Sequence, residues 1–193
     1  MFFYMNQEFP LSDKLWEGID SDFETYFLKE LYYTDIKRKL IFGRNFNIVI
    51  PKIFYPILIN HHKKLIDLTS SLPEEFVGVN FRKDWGHFFS GTHSLREDMV
   101  LSSVTNSIEF KSIFNKFSDL DGDCGDASYI IEPLKGVFVK YIYWNGDEDF
   151  PHSLKILFDK KLTTIFKQDM VWGILVEINS RIKNYANYFN IFH

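Results

Sequence analysis

The stretch GVFVKYIYWNGDEDFPHSLKILFD, residues 136–159, decides the fold class. From Gly136 to Trp144, Val137, Val139, Tyr141 and Tyr143 alternate with Phe138, Ile142 and Trp144, and only Lys140 is polar. A period of two with apolar residues on both faces predicts a strand in the middle of a sheet. Asn145-Gly146-Asp147 supplies turn residues, and Leu154 to Phe158 returns as the antiparallel partner. Downstream, Val171, Ile174, Leu175, Ile178 and Ile182 recur at helical spacing, which predicts a long C-terminal helix over about 168–186 with Glu177, Asn179, Arg181 and Lys183 turned away from the apolar side.

Upstream, Asn106 with Glu109 has the spacing of a capping box, and Phe110, Ile113, Phe114 and Phe117 continue as a helical stripe ending near Ser118. Asp119 to Asp126 is acidic and carries Gly122 and Gly125, so it reads as loop. Leu72-Pro73, Gly78, Gly86 and Ser90-Gly91 break the stretch from Ser70 to Val104 into expected short strands and turns. Pro51 and Pro56 bracket the start of a helix over about 56–67, in which Leu58, Leu65 and Ile66 interleave with His61, His62, Lys63 and Lys64. Arg38 to Phe42 and Phe46 to Ile50 flank Gly43-Arg44-Asn45 as an expected β-hairpin. Ser21 with Glu24, followed by Phe27, Leu28 and Leu31, predicts a further helix over about 21–33. The sum is an α+β chain with a mainly antiparallel sheet, packed helices and a single globular domain over residues 1–193.

Composition narrows the functional classes. The 193 residues carry a net charge of -4, which gives no general electrostatic footprint for nucleic acid or an acidic membrane. A mean hydropathy of -0.15, with no apolar run near the ~18 residues needed to span a bilayer, argues against a transmembrane helix. The segment MFFYMNQEFPLSDK has neither the basic region nor the apolar run of a signal peptide, so the expected location is cytoplasmic. Cys124 is the single cysteine, which excludes an internal disulfide and a self-contained iron-sulfur cluster. There is no G-x-S-x-G, no phosphate-binding glycine loop, and Cys124 stands among carboxylates that disfavour a thiolate.

The candidate site residues fall into three groups. Asp119, Asp121 and Asp123 alternate as in the first half of a calcium loop, but the glycine and the closing glutamate of that motif are missing, so a solvated acidic turn competes with a divalent-cation site. His87 and His93, near Asp84 and Asp98, offer imidazoles for a metal, though their spacing of six suits neither a helix nor a strand; adjacent His61 and His62 point apart on a helix. The densest group is Trp144, Asp147, Glu148, Asp149 and Phe150, with Pro151 and then Asp159. Three adjacent carboxylates beside aromatics can bind a cation or a basic partner, and also describe a hairpin anchored by its aromatics.

The last group also resembles a known family. Trp144, Gly146, Asp147, Glu148, Phe150, Pro151, Leu157, Phe158 and Asp159 are similar to the W-x-G-D-E-x-F-P then L-F-D signature of an uncharacterised domain family widespread in anaerobic bacteria and archaea. Gly125-Asp126, Phe81-Arg82 near Trp85, and Phe42-Gly43 fit the same family more loosely. Some members carry a cysteine-rich segment and the label of iron-sulfur proteins; with Cys124 alone, this chain does not take over that label. The resemblance supplies no reaction and implies that Asp147, Glu148 and Asp159 merit testing; Asp126, Arg82 and Trp85 are further candidate binding residues.

Three functional readings follow. The first is a non-enzymatic binding or accessory protein whose acidic and aromatic surface takes a basic protein or a small ligand, with an acidic immunity or antitoxin-like protein as a related form. The second is a metal-dependent or acid/base enzyme in which Asp126, Asp147, Glu148 and Asp159 converge beside His87 and His93. The third is a structural or oligomeric role through the aromatic tail Tyr185, Tyr188, Phe189 and Phe192, which either packs on its own domain or joins a second copy as a homodimer.

Overall fold

A computed structural model describes residues 12–43 and 54–192. Among these residues, the strands form two antiparallel sheets, β1-β2-β3 and β4-β8-β7-β6-β5. The strands are β1 (Phe23–Phe27), β2 (Glu30–Asp35), β3 (Leu40–Gly43), β4 (Phe76–Val77), β5 (Leu120–Asp121), β6 (Ala127–Leu134), β7 (Val137–Trp144) and β8 (Ser153–Asp159). The helices are α1 (Tyr55–Lys64), α2 (Lys83–Phe88), α3 (Glu97–Leu101), α4 (Ser107–Phe114), α5 (Leu162–Ile165) and α6 (Gln168–Phe192). This is the expected α+β architecture.

β7 is central, as its two apolar faces require, with β6 and β8 on either side. The face bearing Val139, Tyr141 and Tyr143 packs under helices: Phe110 of α4 stacks on Tyr143 at 5.1 Å and Phe114 lies 5.2 Å from Tyr141. The other face is partly covered by the loop before β6. A Cβ on Gly125 would lie 2.8 Å from Ile142, and one on Gly122 would lie 2.9 Å from the end of Lys140. α4 keeps its expected cap: the Asn106 side chain accepts from the amides of Ile108 and Glu109.

The predicted helix over 21–33 is instead the β1–β2 hairpin. Thr25, Phe27, Tyr32 and Thr34 are buried with a period of two, so β-branched and aromatic alternation outweighs the capping-box spacing. Leu28 and Lys29 make the turn at positive φ (49° and 67°), and the Leu28 amide donates to Pro133 O across to β6. Leu40–Gly43 is a strand paired with β2, while Phe46 to Ile50, its expected partner, lies outside the described residues. Between Ser70 and Val104 the breakers cut the chain mostly into single helical turns, with β4 as the strand. Two expected features of α6 are also corrected: Asn179 is fully buried and Arg181 lies over the Phe27, Tyr32 and Phe54 rings rather than turned to solvent, because the helix is covered on more than its apolar stripe.

Candidate functional site

The end of β7 is held by side chains from three segments. The Asn145 amide donates to Asp126 Oδ2 at 2.7 Å; its Oδ1 accepts from the Ser107 amide at 2.8 Å, and its Nδ2 donates to Ser107 Oγ at 3.2 Å. The turn that follows is closed by Asp147, whose Oδ1 accepts from the amides of Asp149 (2.9 Å) and Phe150 (2.8 Å). The Asp147 amide donates to Phe150 O at 2.8 Å. Beneath it, the Tyr143 hydroxyl and His152 Nδ1 are 3.0 Å apart. Burial, with the Glu109 and Asp126 carboxylates, pushes the Tyr143 phenol above its ordinary pKa, so it stays protonated. The backbone is close-packed at Gly146, where a Cβ would meet His152 N at 2.7 Å and Phe150 O at 3.0 Å. Gly146→Ala is therefore expected to cost about 1–3 kcal/mol in urea denaturation, because backbone rather than a flexible side chain must move.

This fixed turn leaves large apolar side chains in water. Phe150 is 71% exposed, Trp144 38% and Ile108, beside Ser107, 77%. Asp147, Glu148 and Asp149 are exposed beside them.

The other predicted residues sit elsewhere. Asp159 is at the far end of β8 from this turn, buried, with Oδ1 accepting from the Lys161 amide at 2.9 Å; burial raises its pKa despite that bond. Asp147 and Asp159 are thus separated by the length of a strand, and the constellation expected beside His87 and His93 does not assemble. Trp85 is buried against Phe158 at 5.6 Å, and Arg82 makes two hydrogen bonds to Asp84 (3.0 and 2.8 Å). Both line an open cleft of about 550 Å³ with Phe88, Phe166 and Lys167. His87 is exposed on α2, whereas His93 stacks on Phe88 at 4.4 Å and meets Trp172 edge-on.

In the acidic loop, Asp119 pairs with Lys29 at 3.5 Å and Asp121 accepts from the Asp123 amide at 3.0 Å. Lys140 donates to Cys124 Sγ at 3.3 Å, so two lysine ammoniums lie against this loop, Lys29 at Asp119 and Lys140 at Cys124. Among the described residues, no three His, Cys, Asp or Glu side chains stand close enough to hold a metal ion.

Sequence reasoning missed Ser107, Tyr143, His152 and the bracing role of Asn145. Asn145 was visible only as a turn residue, and its partners come from segments 19 and 38 positions away.

The fold and this corner define an α+β protein with a hydrogen-bonded, aromatic and acidic turn at one end of its larger sheet. Residues 78–178 match the family described as "Domain of unknown function (DUF3786)", just over half of the chain, and the chain belongs to that family. No curated protein and no solved structure matches it at a significant level.

Proposed function

We propose that the chain is a non-enzymatic binding or accessory protein, with the corner formed by Trp144, Phe150, Ile108 and the carboxylates of Asp147, Glu148 and Asp149 as its contact surface for a basic protein partner. The supporting observation is that the turn is braced by Asn145, Asp126 and Asp147 while its largest side chains stay in water. Apolar anchors on a pre-ordered backbone bind without the usual ordering cost, and adjacent carboxylates steer a cationic partner. The chain's charge of -4 disfavours nucleic acid, and no helix among the described residues is long and apolar enough to cross a membrane.

A short peptide alternating lysine and leucine serves as the probe, followed by amide and indole shifts in NMR. Saturable shifts are expected at the Trp144 indole and residues 146–150, weakening between low and high salt as exposed charges are screened. Phe150→Ser with Glu148→Lys should weaken binding at least about tenfold, the loss of one modest anchor and a like-charge reversal, while leaving the melting temperature unchanged. Shifts spread evenly over the surface, or unchanged affinity in this variant, would count against the reading. A small ligand in the Arg82–Trp85 cleft is a second reading, favoured by a lining that combines the aromatic Trp85, Phe88 and Phe166 with the charged Arg82, Asp84, Lys167 and Asp169.

A further inference from the structure

His61, in the last turn of α1, is buried at 2% exposure, and its Nε2 lies 2.9 Å from the Lys135 carbonyl in the β6–β7 turn. A carbonyl only accepts, so Nε2 carries the proton and Nδ1 is a bare lone pair. That Nδ1 is buried with no hydrogen-bond partner among the described residues. A neutral imidazole tolerates one unmet acceptor, whereas an imidazolium needs an acceptor for a second N–H.

Among the described residues the charged groups of the packed elements are engaged elsewhere, and Thr34 Oγ1 on β2 is the other buried side-chain atom without a partner. On α1 itself, His62 stacks on Phe23, Lys63 donates to Leu15 O and Lys64 pairs with Asp67 of the following turn. From the 3-10 turn Asp13–Leu15, Asp13 is held by Lys39, and Lys14 adds a cation. In the β6–β7 hairpin, Glu132 accepts from the Gly136 amide and Lys135 is a further cation. On α6, Glu177 pairs with Arg181, Asp169 accepts from the Met170 amide, and Lys183 is cationic. On β1, exposed Glu24 alternates to the face opposite Phe23.

We propose that His61 is an acid-release latch: protonation at Nδ1 detaches the end of α1 from the β6–β7 turn and loosens the N-terminal layer from the five-stranded sheet. α1 moves with β1–β3 because Phe54 packs on Phe27 at 4.8 Å and the Tyr55 hydroxyl donates to Ile41 O. This layer precedes the family-matched residues 78–178, so the latch joins a segment outside the match to one inside it. Burial holds the His61 imidazole below its ordinary pKa, in keeping with the geometry. The sign follows: the unfolded chain takes up the proton below about pH 6.5 and the folded chain does not, so stability is full above that value and falls on acidification until the folded pKa is reached.

The test is amide exchange and melting temperature of the full chain at pH 7.5 and 5.5 for wild type, His61→Gln and His62→Gln. Glutamine keeps a donor for Lys135 O but does not titrate. At pH 5.5, wild type and His62→Gln should lose protection in α1 by about tenfold, the effect of one unit of linkage. His61→Gln should lose little. If His61→Gln does not fold, imidazole NMR of wild type decides: an Nε2–H tautomer titrating below 6.5 together with α1 exchange supports the latch. Titration above 6.5 in the folded protein, equal protection at both pH values, or an acid effect removed by His62→Gln instead overturns it.

Discussion

Asn179→Leu is expected to destabilise the protein by about 3 kcal/mol in urea denaturation, with two buried polar groups each losing a partner at about 1–3 kcal/mol. Asn179 Oδ1 accepts from the Tyr141 hydroxyl and its Nδ2 donates to Leu95 O, both at 2.6 Å and both fully inside. Leucine is of similar size, so the loss is one of pairing rather than of volume. Burial and the Glu97 carboxylate hold the Tyr141 phenol well above its ordinary pKa, so it remains a donor with nowhere to donate. Adding Tyr141→Phe removes that orphan and should recover about 1 kcal/mol, leaving the Leu95 carbonyl as the residual cost. A double variant as unstable as the sum of the two singles would show that the hydroxyl is not the group that suffers.

The same residue shapes the chain around it. Trp172 Nε1 donates to Ser94 O two turns earlier on α6, so two side chains of one helix hold Ser94 and Leu95 in place. Arg96 follows at φ 58°, an arrangement that a non-glycine residue adopts when its neighbours fix it.

What could be read from the sequence was local and doubly signalled. β7, its turn and β8 were legible because two-faced apolar alternation and Asn145-Gly146-Asp147 agree on one answer. β1 and β2 were not, because their turn is Leu28-Lys29, with no glycine to announce positive φ; the Leu28 amide finds its acceptor at Pro133, more than a hundred positions away. Asn179 looked like a solvent-facing residue because a helical pattern shows only spacing, and its two partners come from β7 and the segment before α3. Among the candidate carboxylates, Asp147 was legible as a turn-former. The separation of Asp159 from it depends on β8 running straight between them, which a list of acidic positions does not contain.

Arg181→Met should cost about 2–4 kcal/mol, since the guanidinium is mostly buried and serves as packing as well as charge. Its Cζ lies 5.1 Å from the Phe27 ring centre, 5.7 Å from Phe54 and 5.8 Å from Tyr32. Its Nε donates to Glu177 at 2.9 Å, and it bonds Glu30, which also accepts from the Tyr32 hydroxyl at 2.7 Å. One side chain on α6 therefore ties β1, β2 and the start of α1 to the rest of the molecule. Glu30 is largely exposed, so the surface half of this network contributes little and the aromatic contacts carry most of the effect. Arg181→Lys should restore less than half, because an ammonium cannot bridge two carboxylates while lying flat over three rings. Amide exchange locates the damage: β1–β3 and the start of α1 should lose protection in Arg181→Met while β6, β7 and β8 keep theirs. Equal loss in both sheets would mean that the N-terminal layer and the family-matched sheet unfold as one unit, and that Arg181 stabilises the whole rather than the joint between them.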